Sequence, residues 1–200
     1  MLAIELSPNN MLKYQKNRNS SMIKLFFKIY NIIYINYMRV FYHKQFKLHG
    51  RIKANRFFRI ELSRNAKLEI KGTLDIKENV LFAVRKNAKL EIGENCFFNR
   101  NCSVVVRESV KIGNNCMFGE NVKIYDNDHL IRNGKIFQDK YLTKEIIISP
   151  NCWIANDVNI LKGSILPKGC VIAAMSLVKF SLSESGIYAG IPVSLKKGFN

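Results

Sequence analysis

The chain has 200 residues with 48% apolar content, which is enough for one substantial folded domain and excludes an intrinsically disordered chain. Its formal net charge of +17 is uneven: residues 1–60 hold 12 Lys and Arg against the single acid Glu5, whereas residues 61–200 hold 20 against 14. The first 60 residues therefore carry +11. We expect an N-terminal arm that meets an anionic partner, namely a membrane surface, a nucleic acid or a phosphorylated substrate.

Residues 1–50 are predicted to form this basic arm. The start, MLAIELSPNN, lacks the basic region of a secretory signal, and no small-residue cleavage site follows the first apolar run, so we expect a cytoplasmic protein. That run, Leu25 to Val40, contains Lys28 and Arg39 and is too polar and too short to span a bilayer. It suits an amphipathic helix at a membrane interface. Met22 could equally start the protein, which would make residues 1–21 an extension.

A period of six residues runs through the rest of the chain. Large apolar residues recur at every sixth position, and each follows a small or apolar residue two positions earlier. The series is Ile148, Ile154, Ile160, Leu166, Ile172 and Val178, preceded in the same phase by Ile112, Phe118 and Ile124. The same six-residue spacing recurs in Ile92, Phe98 and Val104 and in Ile70, Ile76 and Phe82, but these earlier coils are 20 and 22 residues long, so their corners carry small insertions. Two inward residues separated by one outward residue are typical of a short strand, because side chains alternate between faces.

Each hexad thus supplies one strand and one corner. Corners need left-handed or unrestricted backbone conformations, which Gly and Asn supply. The residues between strands include Gly93, Gly113, Gly119, Gly163, Gly169, Asn95 and Asn115. Three hexads make a triangular coil, so the sequence predicts an all-β core, a parallel β-solenoid over residues 51–180. The repeat is clearest from Leu68 to Lys179, and residues 181–200 are predicted to be a short tail.

All five cysteines occupy the small inward position two residues before a large apolar one. They are Cys96, Cys102, Cys116, Cys152 and Cys170, and all except Cys102 are expected to stack on one face. The odd number, together with the lack of a Cys-x-x-Cys pair or a neighbouring histidine, favours core packing over a metal site or a disulfide ladder.

One interruption of the repeat dominates. From Ile124 to Ile148 is 24 residues instead of six, so residues 126–145 are predicted to leave the solenoid as a loop. His129 lies near its start and is flanked by the carboxylates of Asp126 and Asp128. A histidine just past a rigid strand end is well placed as a general base whose tautomer a neighbour can fix. The alternative is an ordinary solvated loop histidine.

Three stretches, residues 92–129, residues 147–179 and the tail IYAGIPVSLKKG at residues 187–198, resemble the hexapeptide-repeat acyltransferases. This family includes galactoside and maltose acetyltransferases and polysaccharide-modifying O-acetyltransferases. The resemblance implies a left-handed β-helix, an exception to the usual right-handed crossover, and a homotrimer with active sites between subunits. It implies acetyl transfer from acetyl-CoA to a sugar hydroxyl, in the synthesis of capsule, lipopolysaccharide or another surface polysaccharide.

The resemblance also assigns residue roles. The catalytic histidine of the family aligns with His129, which would take the proton of the acceptor hydroxyl and return it to the departing thiolate. The candidate substrate contacts are Asn99, Asn101, Arg107, Asp128 and Trp153. Asn99 is the best match to the family's substrate-binding asparagine, and its alternative is a plain corner residue. Arg107 could equally lie on a solvated face, and Trp153 could line the cleft or pack against a neighbouring subunit.

Coenzyme A contacts are expected near the C-terminal coils, where small side chains would let a pantetheine arm approach the strands. The candidates are Ala155, Asn156, Ala173, Ala174, Ser176, Lys179 and Lys197, and the two lysines would meet phosphates. The alternative is that the small residues are merely corner residues. The sequence departs from the family at Lys179-Phe180, where Thr-Lys is usual, so the nucleotide contacts need not follow the family.

Other functions fit less well. A zinc carbonic anhydrase on this solenoid needs three histidine ligands, yet His43 and His49 lie outside the predicted repeat. An ice-binding solenoid would show rows of threonine, and the chain has only Thr73 and Thr143. The remaining alternatives are an N-acetyltransferase acting on an amino sugar and a non-catalytic scaffold that binds a membrane or polyanion. Nucleic acid is not an expected partner, because the apolar run suits lipid better than stacking on bases.

Overall fold

The structure, a computed structural model, describes the backbone of residues 8–56 and 58–199 and the side chains of residues 22–56 and 58–199. The extension considered above, residues 1–21, lies outside the described side chains. Helix α1 (Pro8–Phe41) comes first. The strands are β1 (Phe46–Leu48), β2 (Ile52–Ala54), β3 (Arg59–Leu62), β4 (Lys67–Ile70), β5 (Leu74–Ile76), β6 (Leu81–Val84), β7 (Lys89–Ile92), β8 (Cys96–Phe98), β9 (Ser103–Val106), β10 (Ser109–Ile112), β11 (Met117–Phe118), β12 (Lys123–Tyr125), β13 (Asn127–Arg132), β14 (Lys135–Thr143), β15 (Ile146–Ile148), β16 (Trp153–Ile154), β17 (Asn159–Leu161), β18 (Ile165–Leu166), β19 (Val171–Ile172), β20 (Leu177–Val178), β21 (Gly186–Gly190) and β22 (Val193–Gly198).

The strands stack into the three faces of a parallel β-solenoid, as predicted. Face A has the order β1-β4-β7-β10-β15-β18, face B the order β2-β5-β8-β11-β16-β19-β21-β22, and face C the order β3-β6-β9-β12-β17-β20. From β1 to β20, leaving out β13 and β14, consecutive strands belong to different faces, so each coil visits A, B and C in turn. β13 and β14 form a separate antiparallel pair outside the three faces.

The residues of the six-residue period line the core in register. On face A, Ile92 pairs with Ile70 below it and Ile112 above it, and Ile112 pairs in turn with Ile148. Their side chains are almost completely buried. Inside the coils, the rings of Phe98 and Phe118 stack at 4.3 Å between centroids. Stacking of like residues over successive coils buries a continuous apolar column, which stabilises a fold whose coil strands, β1–β12 and β15–β20, are only two to four residues long.

The solenoid begins one coil earlier than the repeat was identified. β1, β2 and β3 pair in parallel with β4, β5 and β6, and Phe46 lies opposite Leu68. Leu48, Ala54 and Ile60 keep the period of six, but the small side chain of Ala54 weakens the pattern. His49 therefore lies in the first coil, and only His43 of the two N-terminal histidines precedes it.

Helix α1 covers the open end of the first coil. Met38 is buried in the core, and the hydroxyl of Tyr34 accepts the N–H of Ile60 at 3.0 Å. Asn31 is buried as well and donates to the carbonyl oxygen of Ala54 at 2.9 Å. These side chains recur at three- and four-residue spacing and so form the face of the helix that packs on the solenoid. In the described part of the chain, no helix is long and apolar enough to cross a membrane.

The cysteines are free and buried, as core packing predicts. Each thiol points at a backbone carbonyl of the next turn of chain, for example Cys116 Sγ at Ser149 O (3.4 Å) and Cys152 Sγ at Pro167 O (3.3 Å). Burial raises the pKa of the Cys102 thiol to about 11, so this thiol is protonated at neutral pH. A small side chain with a weak donor suits these corners.

Replacing Cys116 by alanine is therefore expected to lower the free energy of unfolding by about 1 kcal/mol, through lost apolar burial and one weak hydrogen bond. The acetyl transfer that the sequence resemblance implies should be unchanged in the variant. Chemical denaturation beside an activity assay measures both quantities. A variant that folds but is inactive would show that the thiol takes part in chemistry.

Candidate active site

The interruption of the repeat is a β-hairpin rather than the predicted loop. β13 and β14 pair antiparallel, with Asn127 opposite Thr143 at the base. Asn133 and Gly134 both have positive φ and form the turn, as is typical of a two-residue type I′ connection. The hairpin leaves the solenoid directly after β12, at the edge where face C turns into face A.

Asp126 anchors the base of this hairpin and is fully buried. Its carboxylate accepts the backbone N–H groups of Arg107 (2.8 Å), Glu108 (2.8 Å) and Ser109 (2.9 Å). Burial raises the pKa of Asp126, and the three donors oppose that shift because they stabilise the charged form. The carboxylate thus ties the start of the hairpin to the corner of the preceding coil.

A break in the hairpin ladder places a hydrogen-bond acceptor beside His129. Pairing passes from His129 and Tyr141 directly to Leu130 and Phe137, so residues 138–140 bulge out of β14. The carbonyl oxygen of Phe137 lies 3.2 Å from His129 Nδ1. Because a carbonyl can only accept, Nδ1 carries the hydrogen in this contact and Nε2 is the basic nitrogen of the neutral ring. The tautomer is fixed by the backbone of the opposite strand.

The Tyr141 ring packs between the guanidinium of Arg107 and the imidazole of His129. The guanidinium carbon of Arg107 lies 3.3 Å from the centre of the Tyr141 ring. The Tyr141 ring in turn lies 4.6 Å from that of His129, measured between centroids. A cation over an aromatic face is an attractive contact, so this stack joins the solenoid corner to the hairpin. The structure therefore brings two of the predicted site residues, Arg107 and His129, into one cluster.

The two carboxylates that flank His129 in the sequence are engaged elsewhere. Asp126 binds the corner at Arg107, and Asp128 is exposed with Oδ2 3.2 Å from Lys162 Nζ. The neighbour expected to fix the tautomer is thus a backbone carbonyl and not a side-chain carboxylate. Asp128 and Lys162 remain beside the hairpin base, where a polar acceptor could reach them.

Most of the other predicted substrate and cofactor residues share a second edge, between faces B and C. These residues follow β8, β16 and β19 and are Asn99, Asn101, Ala155, Asn156, Ala173, Ala174 and Ser176. Successive corners are joined by backbone bonds, such as Met175 N–H to Asn156 O at 3.0 Å. The Ser176 side chain is buried, and its hydroxyl accepts the N–H of Gly190 at 3.1 Å. Within the chain, this edge is separated from the hairpin edge by face C.

The remaining predicted residues are spread over the surface. Trp153 points outward on face B, is 51% exposed, and lies between Met117 and Val171. Lys179 is exposed just after β20, on the same edge as the hairpin. Lys197 lies on β22, which closes face B as an antiparallel strand against β21. The two lysines therefore do not form one phosphate site within the chain.

Several curated proteins match the chain in sequence. A galactoside O-acetyltransferase of Lactococcus lactis is 28% identical over 131 residues, which are 55% of this chain and 63% of that protein. A putative acetyltransferase of Saccharomyces cerevisiae is 32% identical over 52% of this chain and 54% of that protein. A putative lipopolysaccharide biosynthesis O-acetyl transferase of Escherichia coli is 28% identical over 46% of this chain and 52% of its own length. The chain thus spans between half and two thirds of the length of these relatives, and no family model matches it.

Solved structures support the fold. A hexapeptide-repeat acetyltransferase of Vibrio cholerae complexed with acetyl-CoA matches with a TM-score of 0.53 at 22% identity, over 56% of this chain and 61% of that chain. An N-acyltransferase of Bacillus cereus, complexed with dTDP-4-amino-4,6-dideoxyglucose and coenzyme A, matches with a TM-score of 0.62 at 16% identity, over 82% of this chain and 89% of that chain. The chain is therefore similar in sequence to these curated acetyltransferases, and it shares the left-handed β-helical fold of the hexapeptide-repeat acetyltransferase structure.

Proposed function

We propose that the protein is an O-acetyltransferase that moves an acetyl group from acetyl-CoA to a hydroxyl of a sugar in the synthesis of a surface polysaccharide. The names of the relatives support this proposal: two are O-acetyltransferases, one for galactosides and one assigned to lipopolysaccharide biosynthesis. The observation that carries the proposal is the position of the His129 imidazole on the hairpin that leaves the described solenoid. Its Nδ1 is hydrogen-bonded to Phe137 O, which leaves Nε2 as the nitrogen that can accept a proton.

In the proposed reaction His129 acts as the general base. Nε2 accepts the proton of the acceptor hydroxyl while the hydroxyl oxygen forms a bond to the acetyl carbon. The bond from that carbon to sulfur breaks, and the imidazolium returns its proton to the leaving thiolate. The hydrogen bond from Nδ1 to Phe137 O stabilises the ring in the charged state that forms during transfer. The reaction needs no acyl-enzyme, so the buried cysteines have no role in it.

The edge between faces B and C is suited to the acyl donor. Ala155 and Ala173 are small and partly exposed, and Ala174 is exposed, so an extended arm can lie against the corners. A Cβ at the nearby Gly119 would lie 2.7 Å from the backbone nitrogen of Asn156, so glycine keeps these coils closely spaced. The side chain of Ser176 is buried at this edge, and its hydroxyl accepts the N–H of Gly190. Lys179 and Lys197 are the proposed phosphate contacts.

A homotrimer would bring the two edges together. Outward side chains on face B form an apolar column over five consecutive strands, namely Phe97, Met117, Trp153, Val171 and Ile187. Met117 and Trp153 are each 51% exposed in the single chain. Such a column is costly in water, and a neighbouring subunit would cover it. We propose that His129 of one subunit then faces Asn99, Asn101 and Trp153 of the next.

The proposal is tested by measuring release of free coenzyme A from acetyl-CoA in the presence of a panel of sugars and amino sugars. Activity that requires a sugar hydroxyl is the expected result, with the product identified by mass spectrometry. Acetylation confined to amino groups would assign the protein instead as an N-acetyltransferase. Acetyl-CoA binding without turnover on any acceptor class would favour the scaffold alternative.

A further inference from the structure

Helix α1 exposes a broad apolar surface on the side that faces away from the solenoid. Met22, Phe26, Ile29, Ile33 and Val40 recur at spacings of three, four and seven residues and share this face. Phe26, Ile33 and Val40 are 63%, 64% and 65% exposed. Eleven large apolar or aromatic side chains of residues 22–41 are exposed in all. We call this face of α1 the outer helix face.

The surface around the outer helix face is strongly cationic. Residues 22–60 contain nine lysines and arginines and no acidic residue. Within residues 8–56 and 58–199, none of these nine forms an ion pair. Unpaired cations on one end of a protein attract an anionic partner and are not explained by pairing within the fold.

A groove between α1 and the first two coils continues the cationic surface. Its volume is about 690 Å³, and six of its lining side chains are cationic: Lys24, Lys28, Arg51, Lys53, Arg56 and Lys77. Only Asp75 and Glu78 oppose them. The groove also has apolar walls from Ile32 and Ile35 of the helix. Cationic and apolar groups thus lie side by side, which matches the boundary between phosphate headgroups and acyl chains.

We propose that the outer helix face docks the protein on an anionic phospholipid bilayer. The helix lies in the interface, its apolar side chains enter the acyl region, and the cations of the helix and first coil contact headgroup phosphates. The solenoid then stands on the membrane with its N-terminal coil down, because α1 covers that end. This inference goes beyond the proposed acetyl transfer and does not depend on it.

Charge decides between lipid and a second copy of the chain. A symmetric contact between two outer helix faces would bring two cation-rich surfaces together, with no acidic residue between 22 and 60 on either side to offset the repulsion. Anionic headgroups, by contrast, neutralise these charges. Apolar side chains with flanking cations are also the composition that interfacial helices use.

The test is flotation of the full-length protein with vesicles of phosphatidylcholine alone or mixed equally with phosphatidylglycerol. We expect binding to the mixed vesicles that falls as salt is raised. Ile33→Glu/Val40→Glu should weaken it at least about tenfold, since two exposed apolar side chains that would enter the acyl region become charged. Ile165→Glu/Ile191→Glu, which adds the same charge at exposed sites on the solenoid and tail, should bind within about twofold of the parent.

A second variant keeps the helix intact. Arg51→Gln/Lys53→Gln removes two cations from the first coil and should lower binding to the mixed vesicles about fivefold per charge, without changing the circular dichroism spectrum. Unchanged flotation of Ile33→Glu/Val40→Glu would overturn the proposal. So would a change in its oligomeric state by size-exclusion chromatography without lipid, because the outer helix face would then be a contact between copies. Flotation reports binding alone, so inactivity in the acetyl-CoA assay leaves the result unaffected.

Discussion

Replacing His129 by alanine is expected to lower kcat for acetyl transfer by about 10² to 10⁴ fold, the contribution typical of a positioned general base. KM for acetyl-CoA should change little, because the small residues proposed to contact the donor lie on a different edge. Steady-state kinetics with the best acceptor from the sugar panel measures both parameters. The loss should appear in kcat and in kcat/KM for the acceptor alike.

A second substitution at position 129 removes the basic nitrogen but keeps the hydrogen bond to Phe137 O. Asparagine at position 129 can place an N–H near the present site of Nδ1 and so keep a donor for Phe137 O, but it has no basic nitrogen. His129→Asn should therefore be as inactive as His129→Ala while keeping the hairpin in place. His49→Ala is the matched control, since His49 pairs with Glu69 at 3.0 Å on the first coil and should be dispensable for activity. Full activity in either position-129 variant would exclude His129 as the base.

The solenoid was predictable because its cause is local and repeated. A hydrophobic residue every six positions, with Gly or Asn at the corners, leaves few other ways to bury the apolar side chains. Asn95 and Asn115 have the positive φ expected of such corners, and Asn115 donates to Asn151 at 3.2 Å in the next coil. The repeat is clear only from Leu68 onward, because Ala54 takes the place of a large residue in the first coil. The six-residue period identifies a coil in the sequence only when large apolar side chains occupy the inward position of all three of its strands.

The hairpin was predictable in part. Asn133-Gly134 between two runs containing β-branched and aromatic residues indicates a two-residue turn, and the sequence therefore held the signal for a hairpin that was interpreted as a loop. The bulge of residues 138–140 has no comparable signal, because it results from the pairing of His129 with Tyr141. The contact between His129 and Phe137 O, and the stack on Arg107, depend on that pairing and could be found only in three dimensions.

Asp126 shows what a break in the core pattern means. It follows Ile124 by two positions, so it points inward like Val106 of the coil below, and a carboxylate in that position needs dedicated partners. In the sequence, Asp126 draws attention as a neighbour of His129. Its inward phase predicts a structural role instead, and the three backbone donors at residues 107–109 provide it.

Asp126→Ala is expected to lower the free energy of unfolding by about 3 to 5 kcal/mol, because three buried N–H groups lose their acceptor. Asp126→Asn should cost less, about 2 kcal/mol, since one oxygen remains while the new NH₂ group faces donors. Urea denaturation measures both values. Asp139→Asn, at an exposed position on β14, is the matched control and should stay within about 0.5 kcal/mol of the parent.

Asp126 is also expected to make the free energy of unfolding depend on pH, which an uncharged side chain at this position would not do. Because burial raises its pKa, the folded protein keeps this proton to higher pH than the unfolded chain does. Its contribution to the free energy of unfolding therefore declines as pH rises from the ordinary carboxyl range to the raised pKa, and Asp126→Asn should lose that decline.

Since Asp126 positions the hairpin, Asp126→Asn should also lower kcat with His129 intact. A stable variant with full kcat would show that the hairpin holds His129 without this anchor.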